Sequence, residues 1–253
     1  MQALNEKKLP FISVLCDPTF GGVSASYAMQ ADVRIAVNPP VKAGATAGEE
    51  ARIGFAGPAV ILNTMCEGNQ ARFDEQCPTD FQAASFVRDC GQIDMVVDGD
   101  QSSVERTVAG IARLLTANLA RASDEAAVKD SMLHTLQTAA PESAVEASSG
   151  EEKDHTFNYT RSRLIDRPQT QDILQALFSF FVELSGDGKV GRDNCLRGGV
   201  GMFRGIACLG LGTYKGHTPT DMQNANYGMP SPHGYRTALR LMQLAEKFHL
   251  PVV

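Results

Sequence analysis

The sequence predicts an α/β fold. Two observations point to it: short apolar runs bounded by turn residues alternate with stretches of helical periodicity, and the 253 residues are 43% hydrophobic and 21% charged, the composition of a packed globular chain. The length suits one large domain or two modest ones. A formal charge of −6 supplies no general basic field for nucleic acid or an anionic membrane, so a polyanion has to be met locally. The longest apolar stretches, 11–16 and 206–211, fall far short of the roughly 20 residues that cross a bilayer. Neither nucleic acid nor membrane is an expected partner.

Taken in order, residues 11–16 read as a strand that stops at Asp17-Pro18-Thr19, and Gly21-Gly22 then opens a helical segment over 23–29. A second strand is expected at 33–37, and a loop with Pro39-Pro40 at 38–51. The third strand is expected at 52–55, followed by a helix for whose first turn Pro58 is suited. Thr79-Asp80-Phe81-Gln82 fits a capping box, predicting a helix to Cys90 with Gly91 as its C-terminal cap. A strand at 93–97 comes next. Val104, Val108, Ile111, Leu115 and Leu119 then recur at intervals of four, three, four and four, which places them on one helical face that should dock on the sheet.

From about 122 to 156 Ala, Ser, Glu and Asp dominate, and this stretch reads as a linker. Beyond it a helix from Thr170 to Leu184 is expected, with Ile173, Leu174, Leu177, Phe178 and Phe181 as an apolar stripe and Gly186 as its end. Glycine-punctuated strands fill 198–214. A last helix, 234–248, shows Tyr235, Ala238, Leu239, Met242 and Ala245 on one side, and 250–253 begins another strand.

Several catalytic routes lack their residues. There is no GxSxG around Ser24 or Ser26, no HExxH among the five histidines and no GxxxxGK[ST] loop, so triad, zincin and nucleotide-triphosphatase chemistry lose support. The six cysteines form no CxxC pair, no metal site is expected, and buried or incidental thiols are the reading. What remains is the Gly21-Gly22 bend. A strand turning through paired glycines into a helix leaves backbone N–H groups unpaired and unshielded, which suits an oxyanion; it equally suits a tight connection needing glycine for its backbone angles alone. Lys215, at a strand end before Gly216, can reach a phosphate or carboxylate, or stand as an ordinary solvated lysine.

Two sets of motifs carry a family resemblance. Leu9-Pro10-Phe11-Ile12-Ser13-Val14-Leu15, Asp17-Pro18-Thr19, Gly21-Gly22-Val23-Ser24-Ala25-Ser26, Ile53-Gly54-Phe55-Ala56-Gly57-Pro58 and Gly91-Gln92-Ile93-Asp94-Met95-Val96-Val97 closely resemble the carboxyl-terminal part of the acetyl-CoA carboxylase carboxyltransferase beta subunit. Phe181-Val182-Glu183-Leu184-Ser185-Gly186-Asp187, Gly198-Gly199, Lys215-Gly216, Tyr227-Gly228-Met229-Pro230-Ser231-Pro232-His233-Gly234-Tyr235-Arg236 and Ala238-Leu239-Arg240-Leu241-Met242 resemble the amino-terminal part of its alpha subunit. Together they cover about four fifths of the chain and divide it into a beta-type region at 1–121, the linker at 122–156 and an alpha-type region at 157–253.

The resemblance implies a ClpP/crotonase-like α/β fold of two related halves, the second incomplete, and an acetyl-CoA carboxyltransferase activity. In that reaction a carboxyl group passes from carboxybiotin, carried by the biotin carboxyl carrier protein, to acetyl-CoA, giving malonyl-CoA for fatty acid biosynthesis. Biotin is then the cofactor, held by a partner and not directly by this chain. Biotin carboxylase and further carboxyltransferase chains are the other implied partners, in the cytoplasm or alternatively a plastid stroma. Gly21 and Gly22 match the family's beta-type oxyanion hole, and Gly54, Phe55, Gly57, Lys215 and Gly216 are the implied substrate-binding residues. His217 stands where the family usually has arginine. The family's zinc ribbon would precede residue 1 and its second, alpha-type hole would follow Val253, so a piece of a longer beta-alpha fusion is expected, inactive in isolation. A crotonase-type hydratase or isomerase, which needs a carboxylate near Gly22, and a non-catalytic assembly piece are the competing readings.

Overall fold

A computed structural model describes residues 2–41, 48–119 and 167–253. The linker expected at 122–156, and the boundaries drawn at 121 and 157, lie outside these residues.

After a short helix α1 (Gln2–Glu6), strands β1 (Ile12–Leu15), β3 (Val33–Val37) and β5 (Met95–Val97) form a parallel sheet in the order β1-β3-β5, with Ile12 opposite Val33 and Ile35 opposite Met95. The central strand is covered on both faces, which is why Val33, Ile35 and Ala36 are all fully buried and its sequence is a continuous apolar run broken only by Arg34. Strands β2 (Thr19–Phe20) and β4 (Ile53–Gly54) pair in parallel at one end. Helices α2 (Pro58–Thr64), α3 (Gln70–Gln76) and α4 (Ala84–Asp89) follow β4, and α5 (Gln101–Thr116) follows β5.

Helix α5 begins at Gln101 because the Asp100 side chain accepts the Ser103 N–H at 2.8 Å. Most of the expected face docks: Ile111 and Leu115 are buried and Val108 and Leu119 pack at the margin, while Leu114, outside the expected face, is buried with them and Val104 stands outside the cluster.

In the second part, α6 (Thr170–Leu177) leads into an antiparallel sheet of β6 (Phe181–Glu183), β7 (Leu196–Phe203) and β8 (Ile206–Thr213). The β7–β8 hairpin turns at Arg204 and Gly205, both at positive φ (47° and 81°), the signature of a two-residue turn matched to strand twist. Helices α7 (Pro219–Asn224) and α8 (Pro232–Phe248) close the chain. The strand expected at 250–253 lies parallel to β8: Leu209 N–H donates to Pro251 O at 2.7 Å and Val253 N–H to Leu209 O at 2.8 Å.

A single apolar cluster joins both parts. Val33 and Ile35 of β3 and Leu115 of α5 pack with Leu184, Val200 of β7, Leu209 of β8, and Leu241 and Phe248 of α8. At roughly 1.5–3 kcal/mol for each fully buried large side chain, this cluster is the main source of stability. Beside it the backbones of the two parts cross at glycines: a Cβ on Gly186 would stand 2.4 Å from Gly91 Cα, and Gly188 N–H donates to Gly91 O at 2.9 Å. Both Gly91 and Gly186 hold φ near +75° (74° and 78°), open to glycine and strained for other residues.

Four expectations are corrected. Residues 21–27 form turns and only Ala28–Gln30 a short 3-10 helix, because Ser24 and Ser26 turn their hydroxyls onto the carbonyls of Gly21 and Gly22. Helix α4 starts at Ala84 rather than at Thr79, since Gln82 is drawn away to donate to Ala56 O at 2.6 Å; its Gly91 terminus stands as expected. The helix from Thr170 stops at Leu177, and Phe181 belongs to β6, so Gly186 ends no helix. The buried face of α8 is Thr237, Leu241, Leu244, Ala245 and Phe248, while Tyr235, Leu239 and Met242 face solvent. Two apolar stripes run along this helix, and the ion pairs of Arg240 with Asp94 and Lys247 with Asp32 fix which one turns inward.

Candidate functional site

The bend after β2 is built from its hydrogen bonds. Gly21 takes φ +67°, and its N–H donates to Phe55 O at 2.9 Å, tying the bend to the 54–57 loop. Ser24, 6% exposed, donates to Gly54 O at 2.6 Å and lies 3.0 Å from Gly21 O, so one hydroxyl spans both segments. A Cβ on Gly54 would meet Gln82 Nε2 at 2.8 Å and displace the amide that donates to Ala56 O. Gly57 precedes Pro58 as the N-cap of α2, and Phe55 projects outward, 78% exposed. The structure therefore brings Gly21, Gly22, Gly54, Phe55 and Gly57 together.

Of the two amides expected to be open, that of Gly21 is taken by Phe55. The Gly22 and Val23 N–H groups have no acceptor among the described residues, and a Cβ on Gly22 would meet nothing within 4 Å. The bend thus offers free backbone donors beside open space, an arrangement suited to an oxyanion.

Lys215 and Gly216 are held elsewhere. Both their N–H groups donate to Gln169 Oε1, at 2.9 and 2.8 Å, and Gln169 Nε2 donates back to Gly216 O at 2.6 Å. Gly216 needs φ +98°, and a Cβ there would strike the Asp221–Met222 backbone. No contact among the described residues joins this pair to the Gly21 bend. His217 lies against Asp172, Nε2 to Oδ2, at 2.9 Å. Among the described residues no group of three or more His, Cys, Asp or Glu side chains could hold a metal ion.

A buried ionic network that motif reading missed joins the two sheets to α8. Asp94 accepts from Arg34 N–H at 2.9 Å, from Arg34 Nε at 3.2 Å and from Arg240 Nη2 at 2.6 Å. Asp187 accepts from the N–H groups of Lys189, Val190 and Gly191 and from Arg236 Nε, and lies 3.1 Å from His233 Nδ1. Burial opposes ionisation of Asp187, but the hydrogen bonds from His233, Gly191 and Arg236 outweigh it and hold the carboxyl well below the usual carboxylate range. Burial lowers Arg34, and the nearby Arg240 charge adds to this. The available signal was Arg34 itself, a charge inside an otherwise apolar strand.

The family model described as acetyl co-enzyme A carboxylase carboxyltransferase-like matches residues 101–253. This chain belongs to that family. The beta/alpha carboxyl transferase subunits of acetyl-coenzyme A carboxylase from Saccharopolyspora erythraea are 34% identical over 254 residues, which is 99% of this chain and 38% of that relative. Those from Salinispora tropica are 36% identical over 253 residues, 99% of this chain and 39% of that relative. The chain thus spans under two fifths of the length of these relatives. Among solved structures, transcarboxylase 12S with methylmalonyl-coenzyme A bound superposes over 96% of this chain and 38% of its own, with TM-score 0.56 at 15% identity. The expected ClpP/crotonase-like α/β fold of this carboxyltransferase family is borne out. Among the described residues no helix is long and apolar enough to cross a membrane.

Proposed function

We propose that this chain is part of a carboxyltransferase that moves a carboxyl group from carboxybiotin to acetyl-CoA, forming malonyl-CoA for fatty acid biosynthesis. The observation that carries the reading is the Gly22 N–H, left without an acceptor on a bend that Ser24 and the Gly21–Phe55 bond lock to the 54–57 loop. Carboxybiotin, borne by a biotin carboxyl carrier protein, supplies the activated carboxyl group. As the α-carbon proton of acetyl-CoA passes to the biotin nitrogen freed of its carboxyl group, the Gly22 amide donates to the thioester oxygen that becomes the enolate oxygen, a contribution of about 3 kcal/mol for one such donor. Gly21 sets the bend and its own amide is spent on it. Phe55, Gly54 and Gly57 line the approach to the acyl group, and Lys215 and Gly216 meet a more distant part of a substrate. Biotin carboxylase and further carboxyltransferase chains complete the assembly, in the cytoplasm.

Among the described residues the hydrogen bonds of Gly21, Gly22 and Ser24 involve no carboxylate, which favours carboxyl transfer over a hydratase or isomerase with an acid or base at this bend. The test is transfer of labelled carboxyl from carboxybiotin to acetyl-CoA by the full-length protein carrying Gly22→Val. A Cβ at Gly22 has room, so the fold is retained while the branched side chain shields the amide. A fall of about 100-fold is expected; unchanged transfer refutes the role.

A further inference from the structure

Three successive carbonyls of the 54–57 loop each accept from a different donor. Gly54 O takes the Ser24 hydroxyl at 2.6 Å, Phe55 O the Gly21 N–H at 2.9 Å and Ala56 O the Gln82 amide at 2.6 Å. The first two donors belong to the glycine bend. The third comes from the chain just ahead of α4, where Gln82 O also accepts the Ile53 N–H at 2.8 Å and Arg52 bridges Ala83 in antiparallel sense. Gln82 therefore meets β4 through its backbone and the following loop through its side chain.

Folding alone does not account for this side chain. Gln82 is 6% exposed, and its Oε1 is buried with no hydrogen-bond donor among the described residues. A buried amide with one half unpaired loses through that half about as much as the other half gains, and an apolar side chain of the same length escapes the loss. An apolar side chain cannot hold Ala56 O. The peptide carrying that carbonyl follows directly on the one whose carbonyl, Phe55 O, receives the Gly21 N–H, and peptide planes joined at one residue have only two soft torsions between them. Fixing Ala56 O thus limits how far Phe55 O, Gly21 and the adjoining Gly22 N–H can turn.

We propose, on the role given to Gly22 above, that Gln82 is a positioning residue for carboxyl transfer: its amide fixes the 54–57 loop and, through Phe55 O and Gly21, aims the Gly22 N–H at the enolate oxygen. Gln82 acts on the reaction only through these groups. A backbone donor stabilises a developing charge over a narrow range of distance and angle, so slack in the loop lowers kcat while acetyl-CoA still binds. Ser24 and Gln82 hold the two ends of the same tripeptide, and the loss of either frees one end.

The test is Gln82→Met in the full-length protein, which keeps the length and flexibility of the side chain and removes both amide atoms. For transfer of labelled carboxyl from carboxybiotin to acetyl-CoA, kcat is expected to fall about tenfold, the effect of one lost hydrogen bond. KM for acetyl-CoA and the urea unfolding midpoint are expected to stay nearly constant, a split that a merely structural role does not produce. Hydrogen exchange of the peptide containing Gly21, followed by mass spectrometry without substrate, is expected to quicken about tenfold at that amide. Should Gln82→Met fail to fold, Gln82→Leu decides by the same measurements. Unchanged kcat, a kcat and midpoint that fall together, or unmoved exchange at Gly21 overturns the proposal. Gly22→Val tells the two failures apart: if it loses transfer and Gln82→Met does not, only the role of Gln82 is lost, whereas native transfer by Gly22→Val removes the oxyanion role and the proposal with it.

Discussion

Arg240 Nη2 lies 2.6 Å from Asp94 Oδ1, joining residues 146 positions apart. Asp94 precedes β5 in the parallel sheet and Arg240 lies on α8, so the contact fastens the last helix to the first sheet. The same carboxylate accepts two hydrogen bonds from Arg34, and its side chain is fully buried. Replacing it by Leu leaves the buried Arg34 guanidinium without its carboxylate and breaks the ion pair of Arg240, which keeps its bonds to the Ser185 and Gly186 carbonyls. Asp94→Leu is therefore expected to cost about 3–5 kcal/mol of stability, measured as a shift of the urea unfolding midpoint. A shift equivalent to under about 1 kcal/mol would show that the network adds little to folding.

Ser24 positions the bend without touching the reacting atoms. Ser24→Ala removes a donor from the Gly54 and Gly21 carbonyls and frees the bend to drift from the 54–57 loop. Stability is expected to fall by about 1 kcal/mol. In the full-length protein kcat for carboxyl transfer is expected to drop about tenfold with KM for acetyl-CoA nearly constant, as a misaligned transition-state donor requires. Ser24→Thr, which keeps the hydroxyl, should restore most of kcat. A loss confined to KM would contradict the positioning role.

Asp187 makes stability acid-sensitive. Its folded carboxyl sits below the unfolded value of about 3.9, so its contribution is complete above pH 4 and drains away as pH falls toward the native value. Asp193 is shifted the same way: burial opposes its ionisation, and bonds from Ser231, Cys195 and Leu196 outweigh that. Unfolding free energy should decline steeply from pH 4 to pH 2 in the native protein and less steeply in Asp187→Asn, which starts lower at neutral pH. Parallel declines in the two proteins would remove Asp187 from the account.

The cysteines should react in an order set by burial. Cys208, 3% exposed in β8, has its thiol pushed up to about 11 by burial, which leaves about one thiolate in a thousand at pH 8. Cys16 is exposed. Iodoacetamide at pH 8 should label Cys16 in the folded protein and Cys208 only after urea unfolding, as peptide mass mapping would reveal. Early labelling of Cys208 would mean that β8 opens readily.

Much of the fold was legible because it rests on short-range rules. The intervals of Val108, Ile111, Leu115 and Leu119 gave α5 its docking face, and Gly91 marked the end of α4 through the positive φ it alone adopts without strain. The Gly21-Gly22 bend was legible too, as paired glycines between a strand and open space. What failed was decided by competition between neighbours. Gln82 looked like the third residue of a capping box, yet Ala56 O, distant in sequence, claims its amide. On α8 two apolar stripes were available, and the sequence contains no rule for choosing between Leu239 and Leu241.

By itself the sequence determined an α/β chain with a glycine bend suited to an oxyanion, because periodicity and glycine's backbone freedom act over a few residues. Tertiary structure alone decided that Gly21 spends its amide on Phe55 while Gly22 keeps its own, that both parts share one core, and that Arg34, Asp94 and Arg240 meet beside a cavity. Hydrogen bonds and ion pairs in a low-dielectric interior are satisfied by whichever groups packing brings within 3 Å or so, and that proximity is not written in the local order of residues.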